Sequence, residues 1–256
     1  WFWGQKVTGH PLYFPVMLVA KLPATVVLLC AGGGLWRLRR LRGHDLMTNA
    51  LILCAVIPII LSMASRISIG VRHLLPVVPA LSMLAGLTVS GLVRSWSHRP
   101  VLARAVTPLA LTTVLAGNLS AWPHYLGFFS ATVGGVEGGQ KISVIGEDWG
   151  QNLGDLARHA AGEDLRRIYY YSRFSARAPT LRRELARAYE GEPAEVISLK
   201  CRTQPRRDGW MAIHLDDWVV RRSCFPWLGD REPDRTIADH IHLFHVSASR
   251  TGPTKR

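Results

Sequence analysis

Three places in this chain hold residues whose types and spacing could do chemistry. The first is Arg72-His73, inside Ile69–Pro79 (IGVRHLLPVVP), where two cationic side chains directly precede an apolar run. Cations at the mouth of a membrane span either bind an anion or anchor the helix end by snorkelling to the headgroups. The second is Lys21, about two turns inside another apolar run; an ionisable residue at that depth points to function, or to a side chain that reaches back to the surface. The third is Asp148-Trp149-Gly150-Gln151, behind the Gly-rich stretch Gly134–Gly139. A carboxylate three residues before a Gln is a helix-start signature, so Asp148 and Gln151 read as a cap or as substrate contacts.

Weaker patterns carry less. The Gly134–Gly139 stretch (GGVEGG) lacks the Gly-Lys-Ser/Thr ending of a phosphate loop and reads as a flexible connector. His240, His242 and His245 lie close together, but no acid or cysteine stands at ligand spacing, so no metal is expected. Glu147-Asp148 is a poor acid/base pair because neighbouring residues seldom point into one site, and Asp216-Asp217 reads as a strand end. No Gly-x-Ser-x-Gly elbow or His-Glu-x-x-His helix is present. Cys30 and Cys54 fall in apolar runs, while Cys201 and Cys224 fit no zinc spacing and leave a disulfide as the competing idea. No cofactor is called for by these residues.

The elements that must position these groups follow from charge and hydropathy. Residues 1–120 hold eleven Lys and Arg against the single acid Asp45; the rest of the chain holds 20 against 17. The net charge of +13 is therefore concentrated in the turns between apolar runs. That distribution favours cationic anchoring at a lipid bilayer over nucleic-acid binding. Four runs have the length a bilayer core of about 30 Å demands: residues 14–36, 46–65, 73–93 and 105–122. The first is interrupted by Lys21 and Pro23. The loops Arg37–His44 and Arg94–Arg104 carry more arginine than Arg66–Arg72, so they are expected on the cytoplasmic side. The chain after the last span then lies outside.

That second region, residues 123–250, reads as a small α/β domain, and residues 251–256 as a frayed tail. Strands are expected at Lys141–Ile145, Arg167–Tyr171, Glu195–Leu199, Trp210–His214 and Ile241–Val246. Helices are expected from about Gln151 and over Thr180–Tyr189. Strand and helix in alternation imply a partly parallel sheet. Position 1 is Trp and no leader pattern follows it, so the chain reads as a piece whose amino-terminal portion lies upstream.

The stretches Gly70-Val71-Arg72-His73-Leu74-Leu75-Pro76, Gly134-Gly135 and Asp148-Trp149-Gly150-Gln151 resemble motifs of a known family. So do Trp227-Leu228, Glu232-Pro233 and Ile241-His242 near the end. The family is that of the multispanning glycosyltransferases (GT-C type, family 39-like) related to protein O-mannosyltransferases and lipid A aminoarabinose transferases. Val71 departs from its usual Gly-Arg-His order. The resemblance implies transfer of a sugar from a polyprenyl-phosphate donor on the extracytoplasmic face, with the catalytic aspartate in a loop upstream of Trp1. It also implies that outward cations, Arg72 first and then His73 and Lys21, meet the phosphate charge of the leaving group. Two other classes stay open on the residues alone. One is a non-enzymatic membrane protein with an outward binding domain. The other is a transporter module, suggested by Lys21 and by Pro58, Pro76 and Pro79.

Overall fold

The computed structural model describes residues 1–7, 9–38, 46–65, 70–146 and 148–247. Most of the arginine-rich loop 37–44, most of Arg66–Arg72, and the tail 251–256 lie outside the described residues. The chain divides into two compact units, Trp1–Gly146 and Glu147–Arg256.

The first unit is helical. Helix α1 (Tyr13–Lys21) and helix α2 (Ala24–Leu38) stand where one span was expected over 14–36. They are separated by a break that bends the pair by 119°. The cause is local: Pro23 disfavours helical geometry at the residue before it, and Leu22 is extended at ψ 144°. Next come α3 (Leu46–Met63), α4 (Val77–Ser95) and α5 (Pro100–Leu119), each long and apolar enough to cross a membrane. Counting the bent pair as one span raises the total from three to four. Helix α5 buries none of its residues, and α3 places Leu53, Ile57, Ile60 and Leu61 on its exposed surface. Apolar surface on that scale is costly in water and costs nothing in lipid.

Helix α4 is the centre of the unit, packing on α2, α3 and α5. Its approach to α2 needs a glycine: a Cβ at Gly33 would lie 2.0 Å from Thr88 Oγ1. Small residues at such contacts are the usual way for membrane helices to pack closely. A hydroxyl pair, Thr25 donating to Thr113 at 2.8 Å, ties α2 to α5.

The region from Tyr125 to Ile142 belongs to this unit, not to the second one as residues 123–250 had implied. Ser130 N–H donates to the Ala20 carbonyl at 2.7 Å, and Phe129 and Ile142 join the core built on Tyr13, Phe14, Met17, Leu74 and Val77. The Gly-rich stretch is no loose connector. It forms helix α6 (Gly135–Ile142), where a Cβ at Gly139 would fall 2.0 Å from the Phe129 ring. Residues 141–145, expected as a strand, end α6 and continue as extended chain. The β-branched residues there suggested a strand, but no sheet of the described unit offers them a partner.

The second unit is a mixed five-stranded sheet of order β2-β1-β3-β5-β4. Its strands are β1 (Arg167–Tyr171), β2 (Glu195–Ser198), β3 (Gly209–His214), β4 (Arg235–Ile237) and β5 (Ile241–Val246). Strands β2 and β3 flank β1 in parallel, and β5 runs antiparallel to β3 and β4. Alternation sorts the side chains into two cores. Ile168, Tyr170, Ala212 and Leu243 pack beneath α7 (Leu153–Gly162) and α8 (Arg177–Ala188). Tyr169, Tyr171, Met211, Ile213 and Phe244 face Cys224, Phe225 and Leu228 on the other side. Cys201 and Cys224 are joined as a disulfide, with Cα atoms 4.6 Å apart. Cys30 and Cys54 are free thiols.

Candidate functional site

In the first unit, Arg72 and His73 lie on a 3-10 turn, Val71–Leu74, immediately before α4. The turn is fixed from beneath. Leu74 is fully buried, and Gly70 N–H donates to the Tyr13 hydroxyl at 3.0 Å. Gly70 itself takes φ +97°, a backbone region open to glycine. The two anchors leave both Arg72 and His73 with exposed side chains at the end of an apolar helix. His73 meets the Phe14 ring edge-on, centroids 6.4 Å apart.

Lys21 has a different role in the structure. Its ammonium donates to the Leu126 carbonyl at 3.1 Å and lies 3.7 Å from the centre of the Phe129 ring. It thereby ties the break between α1 and α2 to the 125–142 region. Seven residues of helix separate it from Phe14, a rise of about 10 Å, so it does not join the Arg72-His73 turn in one cluster. Of the two readings of Lys21, function or snorkelling, the structure shows the ammonium on an internal carbonyl and ring.

In the second unit, Asp148 and Gln151 do not start a helix. Helix α7 begins at Leu153, and the residue before it, Asn152, makes no side-chain cap. Asp148 instead turns back on its own loop, accepting from Gly150 N–H at 2.7 Å, while Gln151 Oε1 accepts from Trp149 N–H at 2.8 Å. The other Asp148 oxygen accepts from His214 Nδ1, and His214 Nε2 faces the Tyr170 hydroxyl at 2.6 Å. A carboxylate can only accept, so His214 Nδ1 carries a proton and donates to Asp148. Arg177 donates to the Asp148 carbonyl and lies 3.7 Å from Asp216. Arg173 donates to Asp216 at 2.7 Å, and its backbone N–H donates to Asp217 at 3.1 Å. Asp216 and Asp217 open helix α9 (Leu215–Val220) after β3, buried rather than at an exposed strand end.

Electrostatics agree with a sealed network. Burial alone would raise the Asp148 carboxyl, but His214, Gly150 N–H and Arg177 outweigh it and hold it below the ordinary carboxylate value. Asp217 moves the other way, raised by burial and by neighbouring Asp216. Burial also pushes the Tyr170 hydroxyl up, so it stays neutral.

This network occupies the carboxyl ends of β1 and β3. The chain leaves β1 for β2 on one side and meets β3 on the other, so this is the switch point where open α/β sheets commonly bind ligands. Here the place is filled by the protein itself. Asp148 is 5% exposed, Tyr170 1% and His214 0%, so these side chains are turned inward on one another. Both Asp148 carboxylate oxygens are thus engaged within the protein, by His214 and by Gly150 N–H. Gln151 and Trp149 remain at the surface.

His214, Tyr170, Arg173 and Arg177 were not singled out from the sequence. Nothing local marks them, because their partners lie 29 to 66 residues away. No group of three or more metal-binding side chains occurs among the described residues, and His242, lowered to about 4 by burial and His240, is a poor cation. Glu147 lies outside the described residues. By length and composition the chain is a membrane protein carrying a mixed α/β unit. No family model, no curated protein and no solved structure matches it.

Proposed function

We propose that this chain is part of a membrane-embedded glycosyltransferase of the GT-C type that takes a sugar from a polyprenyl-phosphate donor on the extracytoplasmic face. The observation that supports the reading is the Arg72-His73 turn. Two exposed cationic side chains stand at the end of the apolar helix α4, on a backbone tied by Tyr13 and Leu74. A phosphate released at the membrane surface needs donors held in place beforehand, and a fixed guanidinium is suited to it. In this reading Arg72 is the main phosphate contact and His73 its neighbour. Lys21 and Asp148 act indirectly, as ties that keep each unit in shape.

The test uses the full-length protein in lipid with a synthetic polyprenyl-phosphate sugar. Arg72→Ala is expected to lower transfer by about two orders of magnitude, the usual loss on removing one donor to a developing anion. Failure of the wild type to bind such donors, together with an unchanged Arg72→Ala variant, would remove the proposal.

A second reading, a membrane protein whose α/β unit only binds a partner, has its own support. The polar network of that unit is buried, while Trp149 and Gln151 beside it stay exposed and could meet a partner.

A further inference from the structure

A cavity of about 650 Å3 lies within the first unit, between α2, α4 and α5. Its walls are apolar and shallowly furnished: Val26 and Leu29 from α2, Gly86 and Val89 from α4, Ala110 and Val114 from α5. Along α4 the lining runs from Ser82 to Arg94, a rise of about 18 Å of helix. Half the hydrocarbon thickness of a bilayer is about 15 Å. The groove therefore has the depth of one leaflet. It ends at Arg94; Arg99 in the turn that follows and Arg104 near the start of α5 are exposed as well. An apolar trough of leaflet depth that terminates in cations is complementary to one ligand class, an anionic lipid with its chain in the trough and its phosphate at the rim.

We propose that this groove holds an anionic membrane phospholipid, with one acyl chain along Gly86, Val89 and Ala110 and the phosphate against Arg94. The site is at the opposite end of α4 from Arg72 and His73, so it is separate from the proposed donor site and does not depend on that reading.

The full-length protein in detergent micelles, titrated with dioleoylphosphatidylglycerol or dioleoylphosphatidylcholine and read by native mass spectrometry, tests this. The wild type should bind one phosphatidylglycerol per chain about tenfold more tightly than phosphatidylcholine, and Arg94→Gln should remove most of that preference. Gly86→Leu fills the trough. A Cβ there meets nothing within 4 Å and Leu favours a helix, so the variant should fold yet lose binding of both lipids by about tenfold. Gly34→Leu, equally open but outside the cavity lining, should bind as the wild type does. Equal binding of the two lipids by the wild type would overturn the proposal. So would a Gly86→Leu variant that retains lipid, including one that changes its oligomeric state while doing so.

Discussion

The two units solve the same problem, where to put polar groups, in opposite ways. In the first unit the apolar surface faces outward along α3 and α5, and the cations Arg72, Arg94, Arg99 and Arg104 stand at or near helix ends. In the second, apolar side chains face inward on both sides of a sheet, and the network of Asp148, His214, Tyr170 and Arg177 is closed off inside. The difference teaches that each half was fitted to a different solvent. Lipid rewards outward leucine and tolerates charge only at its boundary. Water permits outward arginine, and a buried ion then needs a complete set of partners.

This contrast can be broken first at His214. Replacing it with Ala leaves the Asp148 carboxylate buried without its main partner, which should cost the second unit about 3–5 kcal/mol. Denaturant titration followed by tryptophan fluorescence would show it, and a variant as stable as the wild type would mean that the network is not closed. Next in size is Leu109→Asp on α5, where the side chain is 65% exposed. In water such an exposed change is worth within about 0.5 kcal/mol. At the centre of a membrane helix it costs about 3 kcal/mol, and a membrane-insertion assay distinguishes the two.

The smallest effect is on pH dependence. The Asp148 carboxyl is lower folded than unfolded, so it contributes stability that is complete above about pH 4 and disappears as pH falls through the depressed folded value. Asp217, raised by burial and Asp216, contributes in the opposite sense, its stability declining as pH rises from that same ordinary value. Asp148→Asn should therefore melt lower at neutral pH and lose the part of the acid destabilisation that Asp148 supplies, while the opposing Asp217 contribution stays. An acid limb unchanged in Asp148→Asn would remove Asp148 from the account.

Much of this architecture was legible from the residues. Runs of about 20 uncharged residues marked α3, α4 and α5 because a bilayer imposes a length, and β1, β2, β3 and β5 were expected close to their observed bounds. Lys21 and Pro23 were noticed as an interruption, but not the 119° bend, after which α1 shares a core with Leu74 and Val77 that no local pattern encodes. Helix α6 was missed because four glycines in six residues argue against a helix; a close ring contact at Gly139 makes small size the requirement instead. The three-residue β4 is too short for any periodicity. At the candidate site, Arg72 and His73 could be found from their place at the edge of an apolar run. Asp148 could be found too, though not its role, since His214 is 66 residues distant and reaches it only through the sheet.

The claim under all of this is that residues 46–119 are solvated by lipid. Cell membranes carrying the full-length protein, washed at alkaline pH and then treated with detergent, measure it most directly. The chain should stay in the membrane pellet through the wash and leave it only with detergent. Recovery of intact, folded protein in the aqueous wash would contradict the account.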